Sequence, residues 1–269
     1  MRRFTAAAAV GSLAIAATLF GATAASAADT AEVFVVHGIA NTPVDVYVNG
    51  TLTLDNFQPE TVAGPLDLPA GSYDVAITAP DAKDDSAPIL TATADVAGGK
   101  SYALVAHLDA NGAPTITPYV NDISTISAGQ TRLVVRHDAA APAVDVRAGG
   151  AVVLPGVTNP QEGVLNIPAG TVSADVVLAG TTTVAIGPAT LDLAEGSATY
   201  VHAVGSAADG TLALVTFTIP GLHSAPGGVP AGTGPASSSV PMIALIVLLT
   251  VGLGVATVGG RRLYLDRSL

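Results

Sequence analysis

Short segments in which apolar and polar side chains alternate dominate the chain between residues 32 and 219. A clear case is Val-Asp-Val-Tyr-Val at residues 44–48, which is followed by Asn-Gly, a dipeptide typical of a two-residue hairpin turn. Residues 72–78, 91–96 and 101–107 continue the alternation, and Gly, Pro, Asn and Asp separate the segments. Since none of these segments has the apolar spacing of an amphipathic helix, the pattern predicts an all-β fold built from β-sandwiches.

Comparison of the chain with itself reveals two copies of one unit, residues 32–118 and 132–219. The shift between the copies is 100 at the start, and it falls to 98 further on because of small deletions. The matched residues include Val35 and Val135, His37 and His137, Asp45 and Asp145, and Tyr102 and Tyr200. The repeat predicts two tandem sandwich domains, residues 28–121 and 130–219. Because domains this small bury a smaller fraction of their surface than larger domains do, we expect each to be stabilised by packing against the other.

The N-terminal segment, residues 1–27, has the pattern of a cleaved signal peptide. Arg2 and Arg3 precede an apolar run, which ends at the small-residue motif Ala-Ser-Ala. At the other end, residues 220–239 are rich in Pro, Gly and Ser, and we interpret them as a flexible stalk. Export of both domains is therefore expected.

Residues 240–260 have the pattern of one transmembrane helix. They include an uncharged stretch of 20 residues, 240–259, which as a helix is long enough to cross a bilayer. Arg261, Arg262 and Arg267 follow it. By the positive-inside rule, residues 261–269 form a cytoplasmic tail and the two domains lie outside the cell.

Within the stalk, one motif resembles a degenerate sortase signal of the Leu-Pro-x-Thr-Gly kind. It reads Val229-Pro230-Ala231-Gly232-Thr233-Gly234. Val replaces Leu and one extra Gly precedes Thr233, so the motif does not favour cleavage. We expect a single-pass protein retained in the cell membrane, with attachment to the cell wall as the alternative.

Three segments of the first copy carry a family resemblance. They are Val-Val-His, Pro-Val-Asp-Val-Tyr-Val-Asn-Gly and Leu-Pro-Ala-Gly-Ser-Tyr-Asp-Val, and the second copy repeats much of the pattern. Together they resemble the bacterial extracellular repeat family known as domain of unknown function 4397. The resemblance implies exported, often tandem, immunoglobulin-like β domains on bacterial surfaces. It implies no established activity, so no catalytic residue is carried over.

The candidate site residues are the repeated pairs His37 with Asp45 and His137 with Asp145. A hydrogen-bonded histidine at the rim of a core is the favoured interpretation, and a metal or acid-base site is the alternative. The two other histidines of the repeats, His107 and His202, do not occupy corresponding positions, which argues against a repeated three-ligand metal site. The chain has no Cys and no Gly-x-Ser-x-Gly motif, so no catalytic residue and no cofactor is predicted.

Charge narrows the class of partner. Residues 28–239 contain 20 acidic side chains, all those of the chain except Asp266, against five basic ones. Such a surface disfavours nucleic acid and anionic lipid. The sequence therefore predicts a non-catalytic bacterial cell-surface protein, a spacer or an adhesion module that binds envelope or extracellular proteins. The alternative is an envelope protein or enzyme that binds a metal or small ligand through the His-Asp pairs.

Overall fold

The structure is a computed structural model, and it describes residues 30–223. These residues form sixteen β-strands and no helix, so the all-β prediction is confirmed. The first eight strands are β1 (Thr30–His37), β2 (Val44–Val48), β3 (Thr51–Phe57), β4 (Val62–Pro69), β5 (Gly71–Thr78), β6 (Leu90–Val96), β7 (Ser101–Leu108) and β8 (Pro114–Asn121). The other eight are β9 (Gln130–His137), β10 (Val144–Ala148), β11 (Ala151–Val157), β12 (Glu162–Pro168), β13 (Gly170–Leu178), β14 (Val184–Leu193), β15 (Ala198–Val204) and β16 (Ala213–Ile219).

Each set of eight strands forms two four-stranded sheets. In sandwich 1 the inner sheet has the order β4-β1-β7-β8 and the outer sheet β3-β2-β5-β6. In sandwich 2 the inner sheet is β12-β9-β15-β16 and the outer sheet β11-β10-β13-β14, which is the same order moved by eight strands. β1 pairs with β7, and β9 with β15, in parallel, while the other pairs are antiparallel. A constant-type immunoglobulin domain instead has seven strands, divided four and three.

The two inner sheets pack face to face, so the central strands are buried on both faces. In β1, Val33 faces the core of sandwich 1, and Phe34 faces sandwich 2. In β9, Leu133 faces the core of sandwich 2, and Val134 faces sandwich 1. The layer between the inner sheets is called the junction below. The expected packing of the domains against each other thus takes the form of a shared apolar layer.

The register of β7 and β15 corrects one match made from the sequence. Val33 pairs with Tyr102, whereas its counterpart Leu133 pairs with Thr199. Tyr102 therefore corresponds to Thr199, and Tyr200 corresponds to Ala103. Because a slip of one residue moves a side chain to the other face of a strand, Tyr102 packs against the core of sandwich 1, whereas Tyr200 lies in the junction.

The chain enters, crosses between and leaves the sandwiches at one end of the molecule. Thr30 pairs with Pro69, and Asn121 with Ser101, at the same end of sandwich 1. The amide of Ile126, in the connection between the sandwiches, donates to the carbonyl of Leu222, where the chain leaves sandwich 2. The predicted signal peptide, the rest of the stalk beyond residue 223, the membrane helix and the tail lie outside the described residues. Within residues 30–223 no helix could span a membrane.

Candidate functional site

The two matched histidines hold corresponding loops in the two sandwiches. The Nε2–H of His37 donates to the carbonyl of Thr42 at 2.8 Å, and its Nδ1 accepts from the amide of Ile39 at 3.4 Å. His137 makes the same contacts with Pro142, at 3.0 Å, and with Ala139, at 3.4 Å. Burial lowers the pKa of His37, although the hydrogen bond to Thr42 opposes this effect. The neutral ring is thus part of the turn between the first two strands.

The two matched aspartates hold the bulged hairpin that follows that turn. Oδ1 of Asp45 accepts from the amide of Asn56 at 2.8 Å, and Oδ1 of Asp145 accepts from Gly156 at 2.7 Å. Oδ2 of Asp145 also accepts, from Gly180 at 2.8 Å, whereas Oδ2 of Asp45 is buried without a partner. The amides of Gly180 and Gly156 lower the pKa of Asp145.

The predicted His-Asp pairs are not joined by a hydrogen bond or an ion pair in either sandwich. Each of the four side chains is directed to backbone groups of its own turn or hairpin, and Asp145 also binds the amide of Gly180, between β13 and β14. Among residues 30–223 no group of three His, Asp or Glu side chains is arranged to hold a metal ion. The acidic stretch Asp81, Asp84 and Asp85 lies in the loop between β5 and β6.

The junction contains the polar groups that the sequence interpretation missed. Its apolar part is built on stacked rings: Phe34 lies 4.4 Å from Phe217, and Phe217 lies 4.8 Å from Tyr200, measured between centroids. The buried members of this cluster are Phe34, Val36, Ala103 and Val105 of sandwich 1, and Val134, Ala198, Tyr200, Val204, Val215, Phe217 and Ile219 of sandwich 2. Three aromatic rings thus stack on one another between the domains.

Arg136 crosses the junction from sandwich 2. Its side chain is fully buried, and its Nε–H donates to Glu162 at 2.8 Å. One Nη2–H donates to Oδ1 of Asn121, in sandwich 1, at 3.0 Å. The guanidinium carbon lies 4.2 Å from the ring centre of Tyr119 and 4.8 Å from that of Tyr200, so the charge is held between two aromatic faces.

Beside Arg136 lies a buried group formed by Asp138, His202 and Tyr119. Nδ1–H of His202 donates to Oδ2 of Asp138 at 2.7 Å, with both side chains fully buried. The hydroxyl of Tyr119, from sandwich 1, donates to Oδ1 of Asp138 at 2.6 Å. Asp138 therefore accepts one hydrogen bond from each sandwich.

Burial sets the protonation states of this group. It lowers the pKa of His202, and the hydrogen bond to Asp138 only partly opposes this effect. Burial acts to raise the pKa of Asp138, but the hydrogen bonds from His202 and Tyr119, together with the nearby imidazoles, outweigh it and hold the pKa below its usual range. Burial and the charge of Asp138 raise the pKa of Tyr119. At neutral pH the arrangement is a carboxylate beside a neutral imidazole.

Two polar atoms of the junction have no hydrogen-bond partner, Nε2 of His202 and Nη1 of Arg136. Asn159 adds a polar contact between the domains, because its side-chain amide donates to the carbonyls of Leu108, in sandwich 1, and Ala139, in sandwich 2. Because the polar groups of the junction are enclosed by two sheets, the arrangement is suited to joining the sandwiches.

The feature of the sequence that could have indicated the junction is the composition of β15. Its sequence, Ala-Thr-Tyr-Val-His-Ala-Val, is buried at every position, which is typical of a strand covered on both faces.

The cavities inside the sandwiches are small, about 30 Å³ in sandwich 1 and about 20 Å³ in sandwich 2. Each has room for one or two water molecules at most.

Comparisons with known proteins are consistent with this architecture. No curated protein matches the chain. The family model described as Domain of unknown function (DUF4397) matches residues 31–147, which run from β1 into β10. The match covers less than half of the chain, and it supports the family resemblance seen in the sequence: residues 31–147 are similar to the DUF4397 domain.

Proposed function

We propose that the chain is a non-catalytic protein of the bacterial cell surface, in which two immunoglobulin-like sandwiches form one packed module that acts as a spacer or as a binding surface for other envelope proteins. In this proposal the module follows a signal peptide, residues 1–27, and stands on a stalk ahead of a transmembrane helix, residues 240–260. The second sandwich is a further copy of the family domain.

One observation carries this proposal: the buried polar side chains are used to hold the fold. His37 and His137 bind the backbone of their own turns, and Asp145 binds the amide of Gly180, in the turn between β13 and β14. Arg136 and Asp138 bind across the junction. Groups that would otherwise be candidates for chemistry are enclosed, and each makes at least one hydrogen bond within the fold, which favours a structural role over catalysis.

The position of the chain connections agrees with display on a stalk. Pro220 and Leu222, where the chain leaves sandwich 2, and Thr30, where it enters sandwich 1, line one surface groove. The opposite end carries the turns held by His37 and His137. If residues beyond 223 lead to the membrane, that opposite end is directed outward.

Protease treatment of intact cells tests the location. The full-length chain would carry an epitope tag after Leu269, and protease added outside should cut the stalk, release a fragment with both sandwiches, and leave the tag inside the cell. A variant without residues 1–27 is the control, because it should be protected until the cells are lysed. Finding the intact full-length chain in the cytosol, equally protected, would contradict the proposal.

A second candidate, metal binding at the His-Asp pairs, is favoured by one observation, the unpartnered Oδ2 of buried Asp45. A metal that binds only the folded state raises the melting temperature. The full-length chain in non-ionic detergent would therefore be melted with EDTA, with Ca²⁺ and with Zn²⁺. A rise that Asp45→Asn removes and Asp145→Asn retains would support this candidate, and equal melting temperatures in all conditions would exclude it for these ions.

A further inference from the structure

We propose that the junction is acid-sensitive: protonation of His202 separates the two inner sheets while each sandwich stays folded. This inference concerns a device within the fold, and it does not depend on where the protein is located. It rests on the geometry of a buried imidazole with one ring nitrogen paired and the other unpaired.

The paired nitrogen of His202 is Nδ1, which donates to Asp138 at 2.7 Å. The other, Nε2, is buried without a partner. The ring lies 5.8 Å from Phe217, nearly parallel to it, and 6.3 Å from Tyr119, edge to face, measured between centroids. A proton that adds to Nε2 therefore creates a buried N–H donor without an acceptor, which costs the full desolvation of that group.

The charged and titratable groups around His202 come from three strands and one turn. Asp138 follows β9 and is its hydrogen-bond partner, and Tyr119 of β8 binds the same carboxylate. Arg136 of β9 and His107 of β7 both oppose a positive charge on the ring. From β16, the neighbour is the uncharged Phe217. The His202 ring therefore has one carboxylate beside it, that of Asp138, and two groups that disfavour a positive charge on it, Arg136 and His107.

The direction of the effect follows from linkage. His202 in the docked state has a pKa below its value in water, since burial disfavours the cation. In the separated state the ring is hydrated and binds a proton more readily. Docking is therefore complete at neutral pH and weakens as the pH falls below about 6.5, the pKa of an exposed histidine. Because separation takes up one proton, the equilibrium constant for docking falls by at most about tenfold for each pH unit.

Single cysteines can report separation, because the chain has no Cys of its own. Val105→Cys places a thiol in the junction, and Val33→Cys places one in the core of sandwich 1. Thr53→Cys, on exposed β3, gives the intrinsic reaction rate at each pH. The full-length chain in non-ionic detergent would be labelled from pH 7.5 to pH 5 with a disulfide reagent that reacts in acid. Asp138 stays ionised over this range, since its pKa lies below the usual value.

We expect the labelling of Val105→Cys, relative to Thr53→Cys, to rise as the pH falls, while Val33→Cys stays protected. His202→Asn, which keeps a donor near Nδ1 but does not titrate, should remove the rise. His37→Gln is the matched control, since it removes a buried imidazole that packs against Phe57 within sandwich 1 and keeps a donor toward Thr42. It should leave the rise unchanged.

Three results would overturn the proposal. A flat profile for Val105→Cys would show that acid does not open the junction. Equal profiles for Val105→Cys and Val33→Cys would show that acid unfolds the chain instead. A rise that persists in His202→Asn would assign the effect to another group, with His107 as the other imidazole beside the ring.

Discussion

Arg136 is the residue whose surroundings differ most from those that its type predicts. Arginine is almost never fully buried unless it is paired. The alternation of β9 correctly places Leu133 and Val135 in the core of sandwich 2. It also places Arg136 on the opposite face, which in a single sandwich would face water. The inner sheet of sandwich 1 covers that face, and Glu162, Asn121 and two aromatic rings compensate the charge.

We predict that Arg136→Met lowers the free energy of unfolding by about 3 kcal/mol, since hydrogen bonds to a buried charge and a desolvated cation–π contact are lost. Denaturant unfolding of the full-length chain at pH 7 measures this. Arg147→Met is the control, because Arg147 pairs with Asp175 on the partly exposed outer sheet and its loss should cost much less. Equal losses for the two variants would contradict the assignment.

At the scale of the element, the hairpins are the part that the sequence predicts best. Asn49 and Gly50 have φ values of 48° and 75°, and Val48 pairs with Thr51, so the predicted two-residue turn is confirmed. Gly149 and Gly150 form the corresponding turn in sandwich 2. Beyond the turn, each hairpin contains register shifts, and there an aspartate of its first strand accepts an amide of its second strand.

The aspartates give a prediction at this scale. Asp145 accepts two backbone amides and Asp45 only one, so Asp145→Asn should lower the melting temperature more than Asp45→Asn. The folded-state pKa of Asp145 lies below its unfolded value. Its contribution is therefore present above about pH 4 and disappears as the pH falls through the folded-state pKa. Melts at pH 7 and pH 3 check this, and a difference between the variants that stays the same at pH 3 would contradict it.

The loop between β15 and β16 gives a second prediction. Gly205 has a φ of 87°, and a Cβ there would collide with the backbone carbonyl of Thr211, whereas Gly210, with a φ of 67°, has open space around it. Gly210→Ala should cost about 1–2 kcal/mol for the left-handed conformation. Gly205→Ala should cost clearly more, because the backbone must also move. Denaturant unfolding compares them, and equal costs would show that the close approach does not matter.

At the scale of the whole molecule, the two sandwiches behave as one unit because they share an apolar layer. Eleven buried residues from both domains form it. A sandwich alone would leave this face of its inner sheet in water. While the junction is closed, folding of one sandwich is therefore coupled to that of the other through the rings of Phe34, Tyr200 and Phe217.

We predict a single calorimetric transition for both sandwiches at pH 7. Phe217→Ala, which removes the central ring of the stack at a cost of about 3 kcal/mol or more, should separate it into two. Phe57→Ala is the control, because Phe57 packs within sandwich 1; it should lower the melting temperature and keep one transition. Two transitions in the unmodified chain would show that the domains are not coupled.

Sequence alone is enough to predict the strand pattern, the repeat and the faces that point into each sandwich. These properties are local, since alternation and turn residues act over a few positions, and His37 with His137 and Asp45 with Asp145 occupy corresponding places as the repeat requires. It also predicted that the domains would pack together, from the small size of each one.

The packing of the two inner sheets against each other determines what covers the other face of β1, β7, β9 and β15. Alternation states which side chains share a face, and it does not state whether water or a second sheet covers that face. Arg136, Asp138 and His202 therefore have the sequence signature of surface or active-site residues, and they become buried only because two inner sheets meet. The register of β15 was decided in the same way: a shift of one residue is a small change in sequence alignment, but it moves Tyr200 from a domain core into the junction.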